Sequence, residues 1–182
     1  NRSQVFGYYD HNMLVMSERV SDHLPETEKY TPKQRLWYIR AKEVVISSGS
    51  IERPLVFGNN DAPGVMLSSA AKEYLKVYGV LVGRKPIIFT NNDSGYETAI
   101  EFKKNGIDPV VLDTRISPES EIINEAKNLN ISIKNSYVVV AAKGYKKVKS
   151  ADIAKISDDK KKLSRIENIE CDCICVSGFW TP

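Results

Sequence analysis

Residues 86–113, PIIFTNNDSGYETAIEFKKNGIDPVVLD, limit the possible folds more than any other stretch. An apolar strand, Pro86–Phe89, runs into a tight polar turn. A helix carrying Ala99, Ile100 and Phe102 follows and stops at Asn105-Gly106. A second apolar strand, Val110–Asp113, ends in an acid. Strand, turn, helix, strand and terminal acid is the layout of a dinucleotide-binding unit.

The turn itself departs from that layout. In such units the first glycine permits the turn, the second admits a pyrophosphate and the third lets the helix pack on the strand. Here Thr90 and Asn92 stand at the first two positions and only Gly95, the packing glycine, remains. Asparagine tolerates left-handed backbone, so the turn can persist. A helix N-terminus attracts anions through unpaired N–H groups and its dipole, but Asp93 puts a carboxylate there. Ser94 with Glu97 spells a capping box, and Asn92 is a competing cap. A phosphate would meet Asp93 as a like charge, at a cost of about 1 kcal/mol or more. The expectation is a unit that keeps its shape and fills its own phosphate seat. Asn92 and Asp113 are its candidate cofactor-binding residues. Asp113 stands where an acid would hold a ribose hydroxyl, or where a strand-end residue makes turn hydrogen bonds.

The flanking sequence extends the architecture. Gln4–Tyr9 and Met13–Val20 read as a hairpin around Asp10-His11-Asn12, followed by a polar loop, Ser21–Pro32, and a strand, Arg35–Arg40. Val44–Ile46 reads as a short, fully buried strand closed by Ser47–Ser50, and Gly58–Gly64 as a loop. A helix is expected from Ser68 or Ser69 to Tyr78, with Gly79 as its stop. Pro118–Leu129 carries Ile122, Ile123, Ala126 and Leu129 on one helical stripe. Ile131–Ile133 is a short strand. Tyr137–Ala142, Lys146–Ile156 and Lys162–Ile169 form a meander, with turns at Lys143-Gly144-Tyr145 and Asp158-Asp159-Lys160, before a buried strand, Cys171–Val176. The stretch RLWYIRAKEVVISSGS is echoed by KLSRIENIECDCICVSGF, as in tandem nucleotide-binding folds. The expected fold class is therefore α/β: a three-layer Rossmann-like unit of the FAD/NAD(P)-binding kind with a β-meander, inserted in part of a second nucleotide-binding domain. Residues 1–79 belong to the outer domain, 80–178 to the inner unit, and 179–182 return to the outer domain.

Composition narrows the function classes. A formal charge of +3 is too small to argue for nucleic acid, and the lysines of Lys143–Lys162 read as the solvated face of a hairpin. No apolar run reaches the roughly 18–20 residues of a membrane span, and the start has no secretory pattern. The first residue is not Met, which reads as a piece of a longer, cytoplasmic protein. Cys171, Cys173 and Cys175 alternate, so a flat strand would place them on one face, too far apart for one zinc or a disulfide. They read as small buried residues. His11 and His23 read as surface residues, and no catalytic or metal-binding set is expected.

The stretches IERPLVFGNNDAPGVMLSSA (51–70), FGYYDHN, TNNDSGYETA and CVSGFWTP together resemble the α subunits of heterotetrameric sarcosine oxidases, over the whole chain. Subunits of N-methylglutamate dehydrogenase and similar amine dehydrogenases look alike. The resemblance implies a fold similar to pyridine nucleotide–disulfide reductases, NAD in the full-length α subunit, FAD on the β subunit and FMN near the α/β interface. It implies a complex that oxidises sarcosine with oxygen and tetrahydrofolate, giving glycine, hydrogen peroxide and 5,10-methylenetetrahydrofolate. It implies partnership with the other subunits, β above all. Ser48, Gly49 and Ser50 match the family's strand-end turn beside the bound dinucleotide, Arg53 continues it, and Ser177 and Gly178 match the equivalent turn of the inner unit. Alone, this stretch is expected to be inactive and to bind dinucleotide weakly or not at all, as a scaffold module.

Overall fold

The computed structural model describes residues 2–159 and 161–182; Lys160, part of one expected turn, lies outside them. The chain divides into two compact units, one ending at Ser48 and the other spanning Gly49–Pro182.

The first unit is an antiparallel meander in the order β1-β2-β3, made of β1 (Ser3–Tyr9), β2 (Met13–Arg19) and β3 (Gln34–Arg40). Its first connection is a single 3-10 turn, Asp10–Asn12, in which His11 and Asn12 are left-handed, at φ 59° and 55°. Asn12 accepts the Tyr8 hydroxyl at 2.9 Å, which suits asparagine to that position. Glu18 ties two neighbours on β3, accepting from Trp37 Nε1 at 2.8 Å and Arg35 Nη1 at 3.1 Å. One expectation fails here. Val44–Ile46 is neither a strand nor buried, and Val45 is 88% and Ile46 70% exposed. A strand must satisfy its N–H and C=O groups on a neighbour, and these three residues pair with none among the described residues.

In the second unit, the unalternating apolar runs become the centre of a five-stranded parallel sheet, ordered β5-β12-β6-β7-β8. The strands are β5 (Val65–Leu67), β6 (Pro86–Thr90), β7 (Val110–Asp113), β8 (Ser132–Asn135) and β12 (Cys173–Ser177). Every residue of β6 and β12 is buried, because both faces are covered. On one face, α1 (Ser68–Tyr78), α2 (Ser94–Lys104) and α3 (Glu121–Asn128) pack Ala71, Tyr96, Phe102 and Ile123 against Ile88, Val111, Cys173 and Cys175. On the other, a meander of β9 (Tyr137–Lys143), β10 (Ser150–Lys155) and β11 (Glu167–Glu170) packs Val139, Ala151 and Ile153 against Ile87, Phe89, Leu112, Ile174 and Val176. The period of two along β6 and β12 thus sorts neighbours to opposite layers.

The boundaries have local causes. Gly79, at φ 64°, ends α1 by donating to the Leu75 carbonyl while Val80 donates to Tyr74. Ser120 caps α3 through the Ile123 N–H. The third meander strand begins at Glu167 rather than Lys162, since Ser164 turns the chain back by accepting the Lys155 N–H at 2.9 Å and donating its own N–H to the Lys155 carbonyl. Finally, β4 (Ile51–Arg53) pairs antiparallel with β13 (Phe179–Thr181) in a two-stranded connector. Gly178 is needed there, because a Cβ would lie 2.6 Å from the Arg53 carbonyl oxygen.

Candidate functional site

The sheet order places the carboxyl ends of β6 and β12 side by side, with Thr90 opposite Ser177. Ligands of open α/β sheets settle outside such strand ends. Here the turn after β6 and the turn after β12 face each other, and side chains of the protein join them.

Asn92 is the joining residue. Its Nδ2 donates to the Gly178 carbonyl at 2.5 Å, and its Oδ1 accepts the Ser94 N–H at 2.9 Å and the Ser94 hydroxyl at 2.5 Å. Ser94 Oγ also lies 2.9 Å from Ser177 Oγ and accepts from Trp180 Nε1 at 3.0 Å. Thr90 folds the turn on itself, accepting the Asn92 N–H at 3.2 Å and donating to the Asn92 carbonyl at 2.9 Å. Of the two caps weighed from sequence, Asn92 serves and the capping box does not form. Glu97 turns away to Lys72, at 2.5 Å. Gly95 packs against β6 as expected: a Cβ would come within 2.7 Å of Thr90 Cβ and Oγ1.

The acids behave differently from their sequence reading. Asp93 does not sit over the helix end; its carboxylate pairs with Arg115 Nη1 at 2.8 Å. Asp113 is fully buried, at 0% exposure. Its Oδ1 accepts the Arg115 N–H at 2.9 Å, and its Oδ2 accepts the Tyr96 hydroxyl and Arg115 Nη2, each at 2.8 Å. Arg115 Nε bridges both oxygens, at 3.1 and 3.2 Å. Burial, together with the bond and charge of Asp113, pushes the Tyr96 phenol well above its ordinary range. Burial opposes the charge on Arg115, but its bonds to Asp113 and Asp93 outweigh that and raise it.

A groove of about 650 Å³ remains beside these bonds. Asn91, Asn92 and Ser94 form one wall, Thr114 and Arg115 a second, and Gly178, Phe179 and Trp180 the third. Phe179 and Trp180 are exposed. A pyrophosphate fits this turn poorly. The Ser94 N–H that would hold it is bonded to Asn92, no glycine opens positions 90 or 92, and the carboxylate that would meet a ribose is already surrounded by donors.

Of the residues singled out from sequence, Asn92 joins Ser94 and Gly178, while Asp113 is held by Arg115, which also pairs with Asp93. Ser48, Gly49 and Ser50 do not line the groove; all three are exposed, and Gly49 has φ 81° with open space beside it. Arg53 braces the connector, donating through Nε to Thr181 Oγ1 at 2.8 Å. Sequence reasoning gave no role to Trp180 and none to Arg115 as a partner of both acids; the short spacing Asp113-Thr-Arg115 was the available signal. The cysteines are small buried residues, as expected, but they do not all share one face. Cys171 belongs to the meander-side core, whereas Cys173 and Cys175 face the helices with Sγ atoms 3.6 Å apart, close enough to touch despite the strand. All three are buried free thiols. Burial pushes Cys171 up to about 12, and contact with Cys173 together with burial pushes Cys175 well up. Among the described residues, no helix is long and apolar enough to cross a membrane.

No family model matches the chain. Over its whole length it is similar to the sarcosine oxidase subunit alpha of Rhizobium meliloti (strain 1021), 36% identical over 182 residues, and to that of Corynebacterium sp. (strain P-1), 33% identical over 184 residues. The chain spans 17% and 19% of the length of these relatives. This bears out the resemblance carried by the motifs. Among solved structures, thioredoxin reductase from Lactococcus lactis aligns with a TM-score of 0.65 at 15% identity, covering 99% of this chain and 54% of that one. The T. acidophilum thioredoxin reductase aligns at 0.63 and 18%, covering 82% and 48%. The fold is similar to that of these thioredoxin reductases, an α/β architecture with a parallel sheet and a meander, as the α/β reading expected.

Proposed function

We propose that the chain is a segment of the α subunit of a sarcosine oxidase, and that its inner unit, residues 80–178, is a dinucleotide-binding fold turned scaffold. The complex so assigned is a cytoplasmic heterotetramer. It oxidises the methyl group of sarcosine with oxygen and tetrahydrofolate, yielding glycine, hydrogen peroxide and 5,10-methylenetetrahydrofolate. NAD is held in the full-length subunit at the outer domain, bordered by Ser48, Gly49, Ser50 and Arg53. FAD and FMN belong with the β subunit and its interface. The left-handed Gly49, with free space around it, suits a turn that a ligand backbone approaches closely. The pairing of β4 with β13 brings the two ends of the second unit together.

One observation carries the scaffold reading: the Asn92 side chain spans from the first N–H of α2 to the Gly178 carbonyl. It takes the position between the two turns that linked phosphates would need, and it does so with neutral hydrogen bonds that require no ligand. The isolated chain therefore shows no turnover. Titrated with NAD in a calorimeter, it gives no heat of binding, or millimolar affinity at best. Micromolar binding by this chain would overturn the reading.

A further inference from the structure

The inward residue of β4 is a glutamate. Of Ile51, Glu52 and Arg53, only Glu52 is buried, at 4% exposure, while Ile51 is 75% exposed. Burial ordinarily takes apolar side chains inward and leaves charges outside. A strand that reverses both choices breaks a local rule, and such breaks concentrate where a structure serves function. We propose that Glu52 is a positioning residue: with Trp180 it clamps residues 49–53 onto the helix layer, and so holds the turn that the reading above puts beside the dinucleotide.

The clamp has two arms. Glu52 and Trp180 stand directly opposite each other across β4 and β13, and residues opposed in an antiparallel pair share one face. Each reaches the first turn of a helix. Glu52 Oε2 accepts the Ser69 N–H at 2.8 Å, and Trp180 Nε1 donates to Ser94 Oγ at 3.0 Å. Ser69 is the second residue of α1 and Ser94 the first of α2. The residue before α1 is Leu67, whose side chain makes no cap. Glu52 thus supplies, from another strand, an acceptor and a negative charge that the start of α1 lacks. The two helices are tied to each other in turn, since Thr98 Oγ1 donates to the Ser68 carbonyl at 3.1 Å. Together β4, α1, α2 and β13 close a ring of bonds, and a shift of β4 breaks at least one of them.

Stability alone does not account for the acid. Glu52 Oε1 and Ser68 Oγ are buried without a hydrogen-bond partner among the described residues. A carboxylate half satisfied in the interior costs free energy that an apolar side chain would not. What the carboxylate adds is direction, because its one bond fixes where β4 lies along α1. Arg53, on the other face of the strand, is bonded through Nε to Thr181 Oγ1. The stretch is therefore held from both sides.

The test compares Glu52→Leu, which loses the acceptor, with Glu52→Gln, which keeps an oxygen for the Ser69 N–H. Hydrogen exchange in the full-length α subunit is read by mass spectrometry on peptides spanning Ile51–Arg53 and Phe179–Thr181. Exchange should rise about tenfold in both peptides for Glu52→Leu and stay near the parent's for Glu52→Gln. Unchanged exchange in Glu52→Leu overturns the clamp. Trp180→Phe loses the indole N–H, keeps an aromatic ring, and should raise exchange in the same two peptides; a rise confined to β13 overturns the coupling across the pair. Where Glu52→Leu does not fold, Trp180→Phe decides. NAD titration supplies a readout that a merely structural role would not move. The dissociation constant should rise about tenfold in Glu52→Leu and return in Glu52→Gln, with thermal midpoints of both close to the parent's. Equal affinities in all three overturn the positioning role. If the parent itself does not bind NAD, the placement of NAD in the reading above falls, and the exchange measurement alone decides the clamp.

Discussion

The side-chain amide of Asn92 lies 2.5 Å from the carbonyl oxygen of Gly178, joining two turns whose residues stand 86 positions apart. The same side chain accepts the Ser94 N–H, so one asparagine both caps a helix and bridges two strand ends.

Asn92→Gly removes the bridge and the cap together. The loss should cost about 1–2 kcal/mol in urea denaturation, the range for a cap plus a part-buried hydrogen bond. The double variant Asn92→Gly, Asp93→Gly reopens the turn and frees Arg115. It should bind NAD at least about tenfold more tightly than the parent by calorimetry, a gain of about 1.4 kcal/mol. Equal affinities in parent and variant would refute the idea that Asn92 excludes phosphate.

Asp113 is buried and Arg115 is its counter-charge. Arg115→Met leaves that carboxylate without a cation. Removing one partner of a buried pair costs about 3–5 kcal/mol, but the Arg115 side chain is 32% exposed. The expected loss is nearer about 2–3 kcal/mol after solvent screening. Tyr96→Phe removes one donor from the same carboxylate and should cost about 1–2 kcal/mol. Because both act on Asp113, the double variant should depart from additivity; strict additivity would show the network to be no network.

Cys171 should make alkaline stability fall. Its thiol is pushed up to about 12 by burial, while an unfolded cysteine ionises near about 8.5. Between those values the native form keeps a proton that the unfolded form has lost. Stability from this group is therefore complete below about pH 8.5 and declines as pH rises toward 12, by at most about 1.4 kcal/mol per pH unit. Cys175 acts in the same direction. Urea midpoints measured from pH 8 to 11 should fall less steeply in Cys171→Ala. At pH 8 a thiol reagent should find all three cysteines in denaturant and none in the native chain; rapid native labelling of Cys171 would contradict its burial.

Gly95→Ala should destabilise by about 1–3 kcal/mol, the usual cost of overpacking, because the new methyl meets Thr90 Cβ and Oγ1 at 2.7 Å. Thr90→Ser should not rescue it, since both clashing atoms remain. A neutral Gly95→Ala in thermal melts would mean that α2 can lift from β6 freely.

The sequence carried the fold where a residue's neighbours in the chain determine its surroundings. The unalternating run of β6, the stripe of α3, and Gly79 as the end of α1 were all readable for that reason. Asn92 as a cap was readable too, since its partner Ser94 is two residues away. What failed depends on distant segments. Val44–Ile46 has the composition of a buried strand but pairs with no strand among the described residues. Asp93 looked like an occupant of the helix end until Arg115, from another loop, drew it aside. The contact between Asn92 and Gly178, and the place of Trp180 over Ser94, follow from a sheet order that no local pattern encodes.

That order also has a consequence for how the protein comes into being. The strand between β5 and β6 is β12, Cys173–Ser177, which leaves the ribosome after every other strand of its sheet. Until it arrives, two apolar strand edges wait uncovered, and their eventual pairing closes long loops at high entropic cost. Slow maturation and dependence on chaperones at this step follow, and a stalled or shortened product ending before Cys173 is the form most prone to aggregate.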